Sequence, residues 1–125
     1  MKECSVSLSK MVIGCAIEVH RNLGPGLLEN TYEQCLAYEL SSQGVAFKLQ
    51  VPIPVQYKLI KLDCSYRLDF LVDDCLILEL KSVEKLIKIH EAQILTYMKL
   101  ASISTGLLIN FNESSLVKGI KRYKN

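Results

Sequence analysis

The sequence predicts an α/β or α+β domain in which α-helices flank a mixed central β-sheet. Three observations lead to this fold class. Two stretches near the N-terminus repeat apolar residues at helical spacing, the middle of the chain has the alternation of strands, and one more helical stretch precedes a last apolar run. Strands that lie before and after a single helix are expected to share one layered sheet.

Length and composition limit the class of protein. The chain has 125 residues, half of them apolar, which predicts one domain over residues 1–125. No apolar run is long enough to span a membrane and the N-terminus lacks the apolar core of a secretory signal, so we expect a cytoplasmic protein. A net charge of +2 does not by itself indicate nucleic-acid binding. Five cysteines without a CxxC pair favour reduced, mostly buried thiols over disulfides or a metal cluster.

The first two elements are amphipathic helices. One covers about 6–21 and stops before Gly24-Pro25-Gly26, and the other covers about 28–42 and ends near Gly44. The apolar stripe of the second helix comprises Leu28, Tyr32, Cys35, Leu36 and Leu40. Glu29 falls within that stripe, where a carboxylate needs a partner.

Strands follow the second helix. The stretch 45–58 contains Pro52 and Pro54, which each lack a backbone donor and so indicate the edge of a sheet. The stretches 62–72 and 75–81 are expected to form the next two strands.

The strongest hairpin signal lies at Asp73-Asp74, and its register decides whether a site forms. A two-residue turn would place Asp69 on the face opposite Glu79, because side chains alternate along a strand. An odd-numbered connection puts Asp69, Glu79 and Lys81 on one face. We predict the odd register, since it collects the apolar side chains on the other face, namely Leu68, Phe70, Val72, Leu76, Leu78 and Leu80.

The C-terminal part predicts a helix at about 84–101 and a strand covered on both faces at 105–111. The tail from residue 114 fits a short helix or strand. The apolar stripe of the helix comprises Leu86, Ile89, Ile94, Leu100 and Ala101, and three polar residues interrupt it, namely His90, Gln93 and Tyr97.

Two carboxylates and an amine on neighbouring strands point to phosphodiester hydrolysis. Asp69 and Glu79 repel each other when they converge, a cost that a bound cation or Lys81 offsets. Oxygen ligands suit Mg²⁺ or Mn²⁺, which polarises a phosphoryl oxygen and lowers the pKa of a bound water. On spacing alone, the alternative is a structural Glu79–Lys81 pair beside an unrelated surface aspartate.

The segment 26–32, GLLENTY, has the form GxxExxY. Together with Asp69 and the Glu79-Leu80-Lys81 triplet it resembles the GxxExxY family, a branch of the PD-(D/E)xK nuclease superfamily. Gln93 and Tyr97 also resemble the QxxxY signature of RecB-type members. The resemblance implies a restriction-endonuclease-like core and metal-dependent cleavage of DNA, with a preference for ends or single strands.

The same resemblance implies roles for individual residues. The catalytic set would be Asp69, Glu79, Lys81, Glu29 and Gln93. The metal ligands would be Asp69, Glu79 and the carbonyl of Leu80, with Glu29 and His20 as further candidates. The residues expected to contact nucleic acid are Tyr97, Lys85 and Lys88.

Alternatives remain for several of these residues and for the function. Glu29 also suits the exposed N–H groups of a helix start, and His20 and His90 also suit structural roles. Tyr32 is expected to pack with its hydroxyl satisfied. A catalytically inactive nucleic-acid-binding or protein-interaction module, or an enzyme acting on another phosphate ester, would fit the same residues. The small surface for duplex binding is compatible with a homodimer.

Overall fold

The computed structural model of the protein describes residues 3–125. The elements in chain order are α1 (Val6–Leu23), α2 (Glu29–Ser42), β1 (Phe47–Tyr57), β2 (Ile60–Val72), β3 (Leu76–Lys81), α3 (Lys88–Ala101), β4 (Thr105–Asn110), a 3₁₀ turn (Leu116–Gly119) and β5 (Ile120–Lys124). None of the helices within residues 3–125 is long and apolar enough to cross a bilayer.

The strands form one sheet in the order β1-β2-β3-β4-β5. Only β3 and β4 are parallel, because α3 connects them as a crossover helix, and the other neighbours are antiparallel. The predicted mixed sheet is confirmed. Pro52 and Pro54 lie on β1, which is the edge strand that their missing donors require.

Helices cover both faces of the sheet. On one face α1 and α2 pack over Phe70, Leu78 and Leu107, and on the other α3 packs over Ile77 and Leu108. Because β3 and β4 are covered on both sides, all six residues of β4 and the first five of β3 are buried. The apolar runs that predicted these two strands therefore belong to the centre of the fold.

The start of α3 differs from the prediction, since the helix begins at Lys88 and not near residue 84. The buried amide of Asn110 explains the difference. Its Oδ1 accepts the N–H of Val83 at 3.1 Å, and its Nδ2 donates to the Val83 carbonyl at 2.9 Å. Both backbone polar groups of Val83 are thereby used outside a helix. The predicted stripe is wrong at Ile89, which is exposed.

The cysteine prediction is wrong for one pair. Cys4 and Cys75 form a disulfide, with their Cα atoms 5.5 Å apart. It joins the segment before α1 to the β2–β3 connection, and cysteine spacing does not reveal such a contact between distant parts of the chain. The free thiols are Cys15, which is buried, Cys35, which is partly buried, and Cys64, which is exposed.

Replacing Cys4 with serine is expected to lower the free energy of unfolding by about 2–4 kcal/mol. The disulfide spans 71 residues of sequence, so its loss releases conformational entropy mainly in the unfolded chain. Urea unfolding without reductant measures the change. Cys64→Ser is the matched control, because this thiol is free and exposed. An unchanged midpoint for the Cys4 variant would show that the bond contributes nothing to stability.

Candidate active site

The β2–β3 hairpin has the predicted odd register. Its connection is the three residues 73–75, of which the two aspartates have φ of 50° and 55°, a left-handed conformation that aspartate tolerates. The ladder runs from the turn to the Phe70–Leu78 pair. Asp69 and Glu79 are the next residues on the two strands, so continuation of the register places them opposite each other.

The carboxylates replace the backbone ladder where it ends. Asp69 Oδ2 accepts the N–H of Leu80 at 2.8 Å, and Glu79 Oε1 accepts the N–H of Asp69 at 3.4 Å. Each acid therefore bonds to the backbone of the opposite strand. These two bonds fix both carboxylates at the point where β2 and β3 separate.

Strand alternation is interrupted at the same point. Gln50, which lies on β1 between the pairs that bracket Asp69, has φ of 51°. Beyond it Leu68 packs with Ile77 on the α3 side, whereas Phe70 belongs to the opposite core. The prediction that Leu68 shares a face with Phe70 is therefore wrong. The interruption leaves Asp69 at the junction of the two faces, with access from outside.

Glu79 has an unusual electrostatic environment. Its side chain is 4% exposed, and burial raises its pKa to about 9, with the charge of Asp69 and a side-chain hydrogen bond to Asp69 acting in the same direction. The backbone N–H of Asp69 and the ammonium of Lys81 act in the opposite direction. Burial therefore favours the protonated form of Glu79, and a cation bound between the two carboxyl groups would relieve the same repulsion.

A hydrogen-bonded chain connects Lys81 to α3. Lys81 Nζ donates to Gln93 Oε1 at 3.1 Å, and Gln93 Nε2 donates to the hydroxyl of Tyr97 at 3.2 Å. Gln93 and Tyr97 are four residues apart, which puts them on one face of the helix. Burial and the charge of Glu79 raise the pKa of Tyr97. Lys81 is thereby held beside the carboxyl pair.

The GxxExxY segment forms a fixed loop at the start of α2. Gly24 and Gly26 have φ of 69° and 100°, which side chains with a Cβ rarely adopt. The buried Tyr32 donates its hydroxyl to the Gly24 carbonyl at 2.6 Å and accepts the N–H of Leu27 at 3.1 Å, as predicted for a satisfied packing residue. Ser82 Oγ donates to the Leu27 carbonyl at 2.6 Å. The loop is thus tied to the end of β3, directly after Lys81.

A model of the PD-(D/E)XK nuclease superfamily matches residues 6–123, which is nearly the whole chain. The chain belongs to this superfamily. The five-stranded mixed sheet with three helices agrees with the restriction-endonuclease-like fold expected of its members. No curated protein and no solved structure matches the chain significantly.

Glu29 lies beside the candidate site, but it does not face the core as the helical stripe predicted. It is the first residue of α2 and is exposed, so its assignment to the core-facing stripe is wrong. The predicted stripe does not face the core at this first turn, and Leu28, which the sequence assigns to it, is 78% exposed. Glu29 instead lines a small recess of about 130 Å³ together with Asp69 and Leu80.

The structure adds Glu33, which the sequence analysis missed. It lies one turn after Glu29 on α2 and lines the same recess. Gln50 Nε2 donates to its carboxylate. Burial raises the pKa of Glu33, the charge of Asp69 raises it further, and the Gln50 bond opposes both. Its spacing of four residues from Glu29 is the sequence signal that identifies it.

The two histidines have structural partners. His20 Nε2 lies 2.7 Å from the Glu113 carbonyl oxygen, which ties the end of α1 to the segment before the 3₁₀ turn. His90 Nδ1 accepts the N–H of Ile87 at 3.0 Å at the start of α3. Across residues 3–125, no three His, Cys, Asp or Glu side chains are grouped to hold a metal, so His20 does not join Asp69 and Glu79.

The lysines predicted to contact nucleic acid are exposed. Lys88 is the first residue of α3, and Lys85 lines a surface recess with Lys118 and Lys121. The recess also contains acids, and Lys121 lies 3.6 Å from Glu91. Lys118 and Lys121, near the C-terminus, are thus brought beside the segment that precedes α3.

Proposed function

We propose that the protein is a metal-dependent deoxyribonuclease that hydrolyses phosphodiester bonds. The observation that carries the proposal is the contact between the carboxyl groups of Asp69 and Glu79 beside Lys81. Burying two carboxylates together costs free energy through desolvation and repulsion, and a cation that binds between them offsets that cost. Membership of the PD-(D/E)XK superfamily supports a nucleic-acid substrate.

The residues present suit a small divalent cation. Asp69 and Glu79 supply hard oxygen ligands, and the main-chain carbonyl of Leu80 is the third protein donor that we assign. Bound Mg²⁺ or Mn²⁺ would polarise the phosphoryl oxygen and lower the pKa of a coordinated water. Glu29 and Glu33 lie in the adjoining recess, where their carboxylates would accept hydrogen bonds from water and orient it.

In this proposal Lys81 stabilises the transition state and Gln93 positions Lys81. The ammonium of Lys81 orients the attacking water and neutralises the negative charge that develops on the phosphate. Gln93 holds the ammonium at 3.1 Å, and Tyr97 holds Gln93 in turn. Gln93 therefore acts as a positioning residue. The resemblance of Gln93 and Tyr97 to the QxxxY signature of RecB-type members supports substrates with ends or single strands.

Cleavage assays test the proposal directly. The purified protein with Mg²⁺ or Mn²⁺ is expected to cut linear, single-stranded or branched DNA, and EDTA is expected to stop the reaction. Asp69→Asn, purified in parallel, is expected to reduce cleavage by about 10²-fold or more, which also excludes a contaminating nuclease. An absence of turnover on all three substrates would overturn the proposal. DNA binding that persists under EDTA without cleavage would instead identify an inactive binding module.

A further inference from the structure

A cavity of about 560 Å³ adjoins Lys81 on the α3 side of the sheet. Its walls are the β1–β2 hairpin, which contributes Val55 and Tyr66, and α3, which contributes Ile89 and Leu100. The volume falls in the range of small-molecule binding sites. Most of its surface is apolar, although it opens beside charged catalytic groups.

The cavity is continuous with the candidate active site. Lys81, Gln93 and Tyr97 line it, and the same three residues form the hydrogen-bonded chain that reaches the carboxyl pair. A phosphate placed at Lys81 therefore brings the nucleoside attached to it to the mouth of the cavity. A nucleobase suits this place, because its faces are apolar and it is covalently joined to the phosphate through its sugar.

Tyr66 provides an aromatic surface that suits this occupant. Its side chain is 45% exposed, and its ring lies 6.0 Å from that of Tyr97 at an interplanar angle of 55°. Tyr97 is only 8% exposed and its hydroxyl is bonded to Gln93, so it forms a fixed support. Exposed aromatic rings beside a phosphate-binding site stack on nucleobases without sequence preference.

The charge of the hairpin is also suitable for a DNA strand. Lys58 and Lys61 are exposed at the hairpin tip and Arg67 is exposed further along β2, whereas Asp63 is the single acid between residues 57 and 68. Positive charge beside an aromatic surface is the arrangement of proteins that bind single strands. A base within a duplex does not fit, because its partner and its stacked neighbours cover its edge and faces.

We propose that this cavity holds an unpaired nucleobase of the strand being cut, stacked on Tyr66. The inference rests on the proposed nuclease function and specifies its substrate class as single-stranded or frayed DNA. Tyr66 is the residue that selects this class, while Asp69, Glu79 and Lys81 act on the phosphate.

Binding experiments test the pocket separately from cleavage. A single strand containing 2-aminopurine, titrated with the full-length protein in Ca²⁺, reports stacking by loss of its fluorescence. Tyr66→Leu is expected to weaken this binding by about 5- to 100-fold and to remove the fluorescence change, whereas Tyr66→Phe is expected to stay within about twofold of the wild type. Binding of intact duplex is expected to change little.

Two controls keep the result interpretable. Tyr57→Leu removes another exposed tyrosine of the same hairpin that does not line the cavity, and it is expected to bind the single strand normally. A strand with an abasic position tests the pocket without altering the protein, and the wild type is expected to bind it more weakly. Equal binding of the abasic strand, or of Tyr66→Leu, would overturn the pocket. Fluorescence loss without any cleavage would support the pocket while refuting the nuclease.

Discussion

Lys81→Ala is expected to reduce the rate of DNA cleavage by about 10²–10³-fold, which is the usual cost of removing one group that stabilises developing charge. Lys81 Nζ contacts Gln93 and lowers the pKa of Glu79, so its loss removes the positive charge nearest the carboxyl pair. The substrate affinity is expected to change much less than the rate, because this charge acts on the transition state. Single-turnover cleavage with saturating protein measures the rate separately from binding.

Lys88→Ala is the matched control for this prediction. Lys88 is an exposed lysine at the start of α3, and its removal is expected to weaken DNA binding in low salt without lowering the single-turnover rate. The folding of both variants is checked by thermal unfolding. If Lys81→Ala cleaved DNA at the wild-type rate, the ammonium would have no role in catalysis and the mechanism would be wrong.

The sheet and its critical register were predictable because local chemistry determines them. The odd connection at 73–75 separates apolar from polar side chains, so hydrophobic patterning alone identified it. The switch of Leu68 to the other face was not predictable in this way. It coincides with the positive φ of Gln50 on the neighbouring strand β1, and glutamine has no strong preference for that conformation.

The remaining differences come from contacts between distant parts of the chain. Asn110 prevents an earlier start of α3 by binding Val83, and the Cys4–Cys75 disulfide joins segments 71 residues apart. Helical periodicity also assumed that α2 faces the core along its whole length. Its first turn instead faces the separated ends of β2 and β3, which places Glu29 in the recess.

Glu79 is expected to make metal affinity strongly dependent on pH. A carboxyl group must lose its proton before it binds a metal, and the pKa of Glu79 without metal is about 9. The dissociation constant for Mg²⁺ should therefore fall about tenfold for each pH unit between pH 7 and pH 9, and level out above that range. Calorimetry at pH 7 in buffers of different ionisation enthalpy should detect the release of nearly one proton per metal.

The free energy of unfolding of the metal-free protein should fall as the pH rises, whereas the affinity for the metal should increase. The pKa of Glu79 is raised from its ordinary value of 4.5, so the folded state binds a proton that the unfolded state has lost. The stabilisation from this proton is complete below about pH 4.5 and disappears as the pH rises towards 9. The glutamine of Glu79→Gln resembles the protonated carboxyl group. The free energy of unfolding of this variant should therefore exceed that of the wild type at pH 8 and be similar to it at pH 4.

Glu79→Gln should at the same time lose metal binding and cleavage. The carboxyl group that lowers the stability of the metal-free protein would then be the one that its function needs. Glu84→Gln, at an exposed position outside the site, controls for the loss of one negative charge. A metal affinity that did not vary between pH 7 and pH 9, together with wild-type pH dependence of unfolding in Glu79→Gln, would contradict the prediction. Glu79 would then not be a metal ligand that is protonated in the metal-free protein.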